Sequence, residues 1–133
     1  MKLIFQSISR GIYKIFRPLI FLTSSETVHD LFTNLGWILG YNTFCQKVFN
    51  IMWRVDNEAL QIEIGGIKFS NPLGLAAGFD YKAKLYRILP SLGFGFGTIG
   101  TITNMPYEGN PGIRLGRLIK SKSLLVNKGF KND

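Results

Sequence analysis

Residues 71–103, NPLGLAAGFDYKAKLYRILPSLGFGFGTIGTIT, decide the fold. The run Leu73 to Ala77 is short, apolar and rich in small residues, as a buried strand is. Gly78-Phe79-Asp80 reads as a tight turn with a lone acid, and the next residues read as a short helix. A second buried strand leads to Thr98, Thr101 and Thr103. Small residues at a strand's carboxyl end let a flat ligand approach the backbone, because no Cβ stands in the way. Strand, helix and strand in this order open either an α/β barrel or a doubly wound sheet.

Working upstream, Leu60 to Phe69 (LQIEIGGIKF) alternates apolar residues around Gly65-Gly66, which predicts a hairpin. Before it the pattern is helical. In the first twenty residues Arg10, Lys14 and Arg17 share one stripe, with Ile4, Ile8, Ile12, Phe16 and Leu19 opposite. That is a basic amphipathic helix able to lie among lipid headgroups, or an ordinary helix packed on its own domain. Four charges in the first seventeen positions exclude a spanning helix. Pro18 is expected to kink the helix or start a new segment. Thr23 to Glu26 has capping-box spacing for a second helix, with Val28, Leu31, Phe32, Leu35 and Ile38 on its apolar face. His29 lies beside that face, away from other titratable groups, and is expected to line a pocket or a polar edge rather than act as a base. Phe44 to Trp53 predicts a third helix, with Cys45 as a core residue. The helical part is expected to end near Asp56.

Composition narrows the function. The 133 residues carry a formal charge of +8, with a basic run from Arg114 to Lys131. Such an excess suits nucleic acid, an anionic membrane or an anionic substrate. Nucleic acid is the weakest of these, for there is no helix-turn-helix cue, zinc spacing or aromatic-glycine signature of an RNA-binding sheet, and none is expected as a partner. One cysteine cannot close a disulfide and has no companion zinc ligands. Gly95 to Gly100 satisfies G-x-G-x-x-G but runs into β-branched residues rather than a helix, so it is not a dinucleotide fingerprint. A complete eight-fold barrel takes roughly 250 residues, so a fragment is expected.

Taken in order, NPLGLAAGFD, LPSLGFGFGTIGTIT, EGNPGIRLGRL and VNKGF resemble the quinone-dependent (class 2) dihydroorotate dehydrogenases. The likeness runs from Asn71 to Asn132 and extends more weakly through SSETVHDLF. It implies the N-terminal part of a (β/α)8 TIM barrel, incomplete in this chain, preceded by a small helical domain. Residues 1–56 would associate with the membrane and form a quinone tunnel, and residues 57–133 would begin an FMN-binding barrel. The implied enzyme oxidises dihydroorotate to orotate with FMN and passes electrons to a membrane quinone, in pyrimidine biosynthesis. It would sit peripherally on the cytoplasmic face of a bacterial inner membrane or an equivalent one, against an anionic surface.

Residue by residue, the resemblance puts Ala77, Gly78, Phe79, Asp80 and Tyr81 on the first FMN-contacting loop and Thr101 on an FMN-contacting threonine. The family usually has a lysine after the loop aspartate, touching flavin and substrate carboxylate. Tyr81 fills that slot here, so either Lys82 takes the role or Tyr81 offers a hydroxyl. The family's substrate loop, usually Asn-Arg-Met-Gly-Phe, corresponds to Asn127, Lys128, Gly129 and Phe130, with Asn127 aligned only if one residue is deleted. No catalytic base and no metal ligand is expected within the chain. The base would be a serine on a later loop, and Ser121 and Ser123, in a basic hairpin, are poor candidates. Alone, the piece is expected to be inactive and to leave a parallel sheet edge unpaired. The alternatives are a non-catalytic membrane-surface module or another FMN-dependent TIM-barrel oxidoreductase.

Overall fold

A computed structural model describes residues 2–132. Three helices lead: α1 (Lys2–Leu22), α2 (Ser25–Tyr41) and α3 (Thr43–Trp53). Pro18 lies inside α1, which runs on without a break. A proline at this exposed position removes only its own bond to the Lys14 carbonyl, and the turns on either side keep theirs. The second helix is capped one residue later than the capping box predicts. Ser24 accepts from the Thr27 amide at 3.1 Å, and their hydroxyls are 2.7 Å apart. Thr27 therefore holds the third helical position, which frees Glu26 for a distant partner. Asn42 both ends α2 and caps α3, accepting from the Cys45 amide at 3.1 Å. Cys45 itself is half-buried rather than part of the core.

The predicted hairpin forms between β1 (Ile62–Ile64) and β2 (Ile67–Phe69). Gly65 and Gly66 both have positive φ, +59° and +80°, as the tight two-residue turn requires. The strand predicted from Leu73 to Ala77 is shorter: only β3 (Gly74–Leu75) pairs, parallel to β4 (Phe96–Gly97). Leu73, Ala76 and Ala77 are exposed, and Thr98, Thr101 and Thr103 lie past the end of β4. Gly95 is fixed by packing, since a Cβ there would sit 2.1 Å from the Asn71 carbonyl oxygen.

Between these strands the predicted α-helix is replaced by turns and a 3-10 segment, Leu89–Leu92. Pro90 disfavours helical geometry in the residue before it, and Gly93 in the left-handed region (φ +92°) closes the segment at once. The core sits here. Ile88, Leu85 and Leu89 are buried and pack against Leu39, Phe49, Leu75, Leu92 and Phe94. Gly36 and Gly40 on α2 admit this cluster: a Cβ on Gly36 would stand 2.3 Å from a Leu85 methyl. A second antiparallel pair, β5 (Leu115–Leu118) with β6 (Ser123–Val126), follows and packs against α2. The described residues thus form a mixed α/β unit of three separate strand pairs, with no closed barrel among them.

Candidate functional site

The loop after β3 is built to stay open. Gly78 has φ +89°, and a Cβ there would meet nothing within 4 Å, so glycine serves the backbone and leaves clear space above it. Asp80 is 3% exposed and faces backward. Its carboxylate accepts from the amides of Lys84 and Leu85, both at 2.8 Å. The acid thereby sets the shape of the loop from behind. In front, the Phe79 carbonyl is 2.6 Å from His29 Nε2, which donates to it in that tautomer. The His29 ring also meets Phe79 edge-on and stacks on Tyr81.

His29 does not stand apart from titratable groups, contrary to the expectation from sequence. Its Nδ1 is 3.1 Å from Asp30 Oδ1 and 3.4 Å from Lys128 Nζ. The reason is tertiary: the loop at residues 127–131 returns to α2 across nearly a hundred positions, which helical phasing cannot register. Arg114 fastens the same return by an ion pair to Glu26 at 2.9 Å. Arg117 donates to the Thr23 carbonyl at 2.7 Å, with its guanidinium 4.5 Å from the Phe21 ring centroid. Neither arginine was legible as more than charge.

Two spaces result. A wide cleft of about 660 Å³ has mostly apolar walls: Val28 and Phe32 of α2, Leu115 of β5, and Leu124 and Val126 of β6. Its polar points are Ser25, His29, Asn110, Arg117, Asn127 and Lys128. A smaller pocket of about 150 Å³ is bounded by Ala77, Gly78, Tyr81, Gly100, Thr101, Lys128, Gly129 and Lys131. Lys128 and Gly129 line both, together with Ala77 and Gly78.

The structure therefore gathers Ala77, Gly78, Tyr81, Thr101, Lys128 and Gly129 around one small pocket, although they are up to some fifty positions apart. Asn127 is on the wide cleft, its Oδ1 accepting from Asn110 Nδ2 at 2.9 Å. Phe79 forms part of the same wall. Three expected residues stand aside. Asp80, expected among the flavin contacts, is turned into the loop by its two amide bonds and borders neither space. Phe130 is 68% exposed and borders neither space. Lys82 borders a narrow crevice with Asp30 and Lys84 instead of the small pocket. Lys131 and Gly100 are the pocket residues that sequence reasoning missed; only the basic run pointed to the first, and the second stood at the end of the rejected glycine pattern.

Three ammonium groups approach the Tyr81 ring, with Nζ to centroid distances of 5.1 Å (Lys128), 5.7 Å (Lys131) and 5.9 Å (Lys82). Lys128 is the buried one, at 7% exposure. Burial pushes its ammonium below the ordinary 10.5, helped by Lys131 and Arg114 and opposed by the negative charges of Asp30 and Glu26. Chemically the arrangement offers a side-chain-poor ledge, a hydroxyl at Thr101, an aromatic face and buried positive charge. It suits a flat, anionic ligand. The wide cleft beside it suits an apolar one.

Comparison with known proteins identifies the family. The family model described as dihydroorotate dehydrogenase matches residues 59–133. The chain is 36% identical over 121 residues to a dihydroorotate dehydrogenase (quinone) of Roseiflexus castenholzii, covering 91% of this chain and 33% of that protein. It is 39% identical over 121 residues to one of Christiangramia forsetii, covering 88% and 34%. Among solved structures, the Eimeria tenella enzyme in complex with ferulenol superposes with a TM-score of 0.66 at 34% identity, covering 82% of this chain and 27% of that one. The chain spans about a third of the length of the curated relatives it matches.

Proposed function

Because this chain belongs to the dihydroorotate dehydrogenase family, we propose that it is the part of a quinone-dependent enzyme that carries the first flavin contacts and the quinone cleft. The whole enzyme would oxidise dihydroorotate to orotate with FMN and return the electrons to a membrane quinone, in pyrimidine synthesis. Residues 1–56 would form the membrane-associating and quinone-tunnel region, and residues 57–133 the start of the FMN barrel. The observation that carries this reading is the convergence of Ala77, Gly78, Thr101 and Gly129 on one small pocket beside an apolar cleft.

The residues present fit FMN. The open space over Gly78 leaves a ledge where a planar ring can meet backbone groups without a Cβ between. Thr101 offers a hydroxyl and Tyr81 a ring face at its rim. Bound FMN would supply a two-electron acceptor standing between dihydroorotate and the quinone. Asp80 and His29 hold the loop: one through two amides, the other through the Phe79 carbonyl. Asn127, oriented by Asn110, presents an amide to the planar amide edge of a pyrimidine. Apolar walls at Val28, Phe32 and Leu124 would suit a quinone ring.

The outer surface is consistent with a membrane partner. Ile4, Ile8, Ile12, Phe16 and Leu19 of α1 are each at least half exposed on one face, with Arg10, Lys14 and Arg17 opposite. No helix among the described residues is long and apolar enough to cross a membrane, so contact by α1 would be peripheral. The deciding experiment is purification of the full-length protein with its spectrum. Yellow absorbance that bleaches with dihydroorotate and returns with a soluble quinone is expected. A colourless protein that gains no flavin absorbance when supplied with FMN would end the reading.

A further inference from the structure

The β5–β6 hairpin ends in a tight basic turn, Ile119-Lys120-Ser121-Lys122. The Lys122 amide donates to the Ile119 carbonyl at 3.3 Å, and Lys122 takes φ +52° to lead back into β6. The serines bond within the turn: the Ser121 hydroxyl lies 2.6 Å from that of Ser123 and 3.4 Å from the Leu118 carbonyl. Ile119 is left 78% exposed, followed by the exposed Lys120 and Lys122. Neither lysine is ion-paired among the described residues. The nearest acids along the chain are as far off as Glu108 and Asp133. Arg117 ties this hairpin to the end of α1. It donates to the carbonyls of Thr23 at 2.7 Å and Ile20 at 3.4 Å, and its guanidinium lies 4.5 Å from the Phe21 ring centroid. The Arg17 guanidinium is 4.9 Å from the same ring. Ile119 follows Arg117 by two residues, roughly 7 Å of extended chain. The end of α1 shows Leu19 and Leu22, the latter 84% exposed, and the helix carries no acid.

We propose that the tip of the β5–β6 hairpin is a second lipid contact: Ile119 enters the headgroup boundary of an anionic bilayer, and Lys120 and Lys122 stay at its surface. This rests on the peripheral contact proposed for α1 and extends it to a segment nearly a hundred positions later. A single exposed isoleucine needs no explanation. Joined to two lysines at the tip of a turn, it has the make-up of an interfacial segment: an apolar body to bury, and ammonium groups on long stems that remain in water. An anionic surface attracts such cations within a Debye length, which a neutral bilayer does not. A soluble polyanion would satisfy the lysines but leave Ile119, Leu19 and Leu22 in water, so lipid is the occupant that uses them all. The consequence is geometric. One helix lying in an interface leaves the protein free to roll about the helix axis. A contact beside its end removes that freedom and fixes which way the wide cleft, walled by Leu115 of the same strand, faces.

The test uses full-length protein and vesicles of phosphatidylcholine mixed with phosphatidylglycerol, with pure phosphatidylcholine beside them. Thermal unfolding checks that each variant is folded. Ile119→Ser is expected to weaken partitioning onto the mixed vesicles roughly tenfold, as for one aliphatic side chain buried in part. Lys120→Glu is expected to weaken it about 5- to 30-fold, one attraction lost and one repulsion gained. Lys68→Glu, the same change on β2, is expected to stay within about twofold. Ile119→Trp gives a direct readout. Above the background of the two native tryptophans, its emission should shift to the blue with mixed vesicles and be quenched by lipids brominated in their acyl chains. Wild-type partitioning in Ile119→Ser and Lys120→Glu, with Ile119→Trp unshifted, overturns the proposal; if charge reversal in α1 still releases the protein, the α1 contact stands without it. A loss in Lys68→Glu as large as in Lys120→Glu also overturns it, because net charge alone then accounts for binding. So does Ile119→Trp emission that responds to soluble heparin and not to vesicles. If the wild type floats with neither vesicle, the membrane reading of α1 falls too, while the flavin spectrum still decides the enzyme.

Discussion

Replacing Asp80 separates a loop-shaping acid from a ligand-binding one. Its carboxylate is 3% exposed and accepts two backbone N–H groups at 2.8 Å each. Hydrogen bonds to a charged acceptor contribute about 1.5–3 kcal/mol apiece, so Asp80→Ala forfeits up to about 6 kcal/mol. Water entering the vacated space returns part of this, which leaves an expected loss of about 3 kcal/mol. Asp80→Asn keeps one carbonyl acceptor but turns an amide donor toward the second N–H, so it should lose at least half as much. Urea unfolding of the full-length protein measures both. Flavin content at low denaturant should fall only in step with stability. An Asp80→Ala protein within about 0.5 kcal/mol of wild type would refute the reasoning. So would an Asp80→Asn protein of native stability that has lost its flavin, because the acid would then be touching the cofactor.

Four further outcomes are expected. Gly36→Ala gains about 1 kcal/mol of helix propensity, yet its Cβ would sit 2.3 Å from a buried Leu85 methyl; thermal unfolding should show a net loss of about 1–3 kcal/mol. His29→Ala removes the bond to the Phe79 carbonyl and should cost about 1–2 kcal/mol, with flavin dissociating faster in stopped-flow measurements. Lys128 titrates below 10.5 when folded, so the unfolded chain binds more protons between the two values. Lys128's contribution to stability should therefore rise with pH across that window, and urea unfolding of Lys128→Met should lack that rise. Charge reversal at Arg10, Lys14 and Arg17 removes about 1 kcal/mol of headgroup attraction per residue; flotation of the full-length protein with anionic liposomes should weaken by at least roughly a hundredfold.

What sequence could reveal was whatever local physics decides. Gly65-Gly66 demanded a tight turn, and three apolar periodicities demanded helices, because each signal lies within one element. The small-residue ledge at Ala77-Gly78 was legible for the same reason: absent side chains need no partner to be recognised. The segment from Tyr81 to Ile88 misled. Its leucines and basic residues read as helical, but Ala83 adopts φ +56°, and Pro90 and Gly93 close the stretch from the other side. Pairing information was hidden throughout. Nothing in the spacing of Glu26 and Arg114, or of His29 and Lys128, announces that they meet. That a buried ammonium, Lys128, stands over the Tyr81 ring from a segment almost fifty positions later was likewise invisible in the spacing.

Arg117 leaves a mechanical legacy. By holding the Thr23 and Ile20 carbonyls and lying against Phe21, it pins the last turn of α1 to β5. The same strand lends Leu115 to the wide cleft. The end of α1 and one wall of that opening thus hang on a single strand, so a tilt of the helix is expected to change the opening's span. Spin labels at Leu22 and Leu124 should change separation when vesicles are added, and Arg117→Ala should uncouple them.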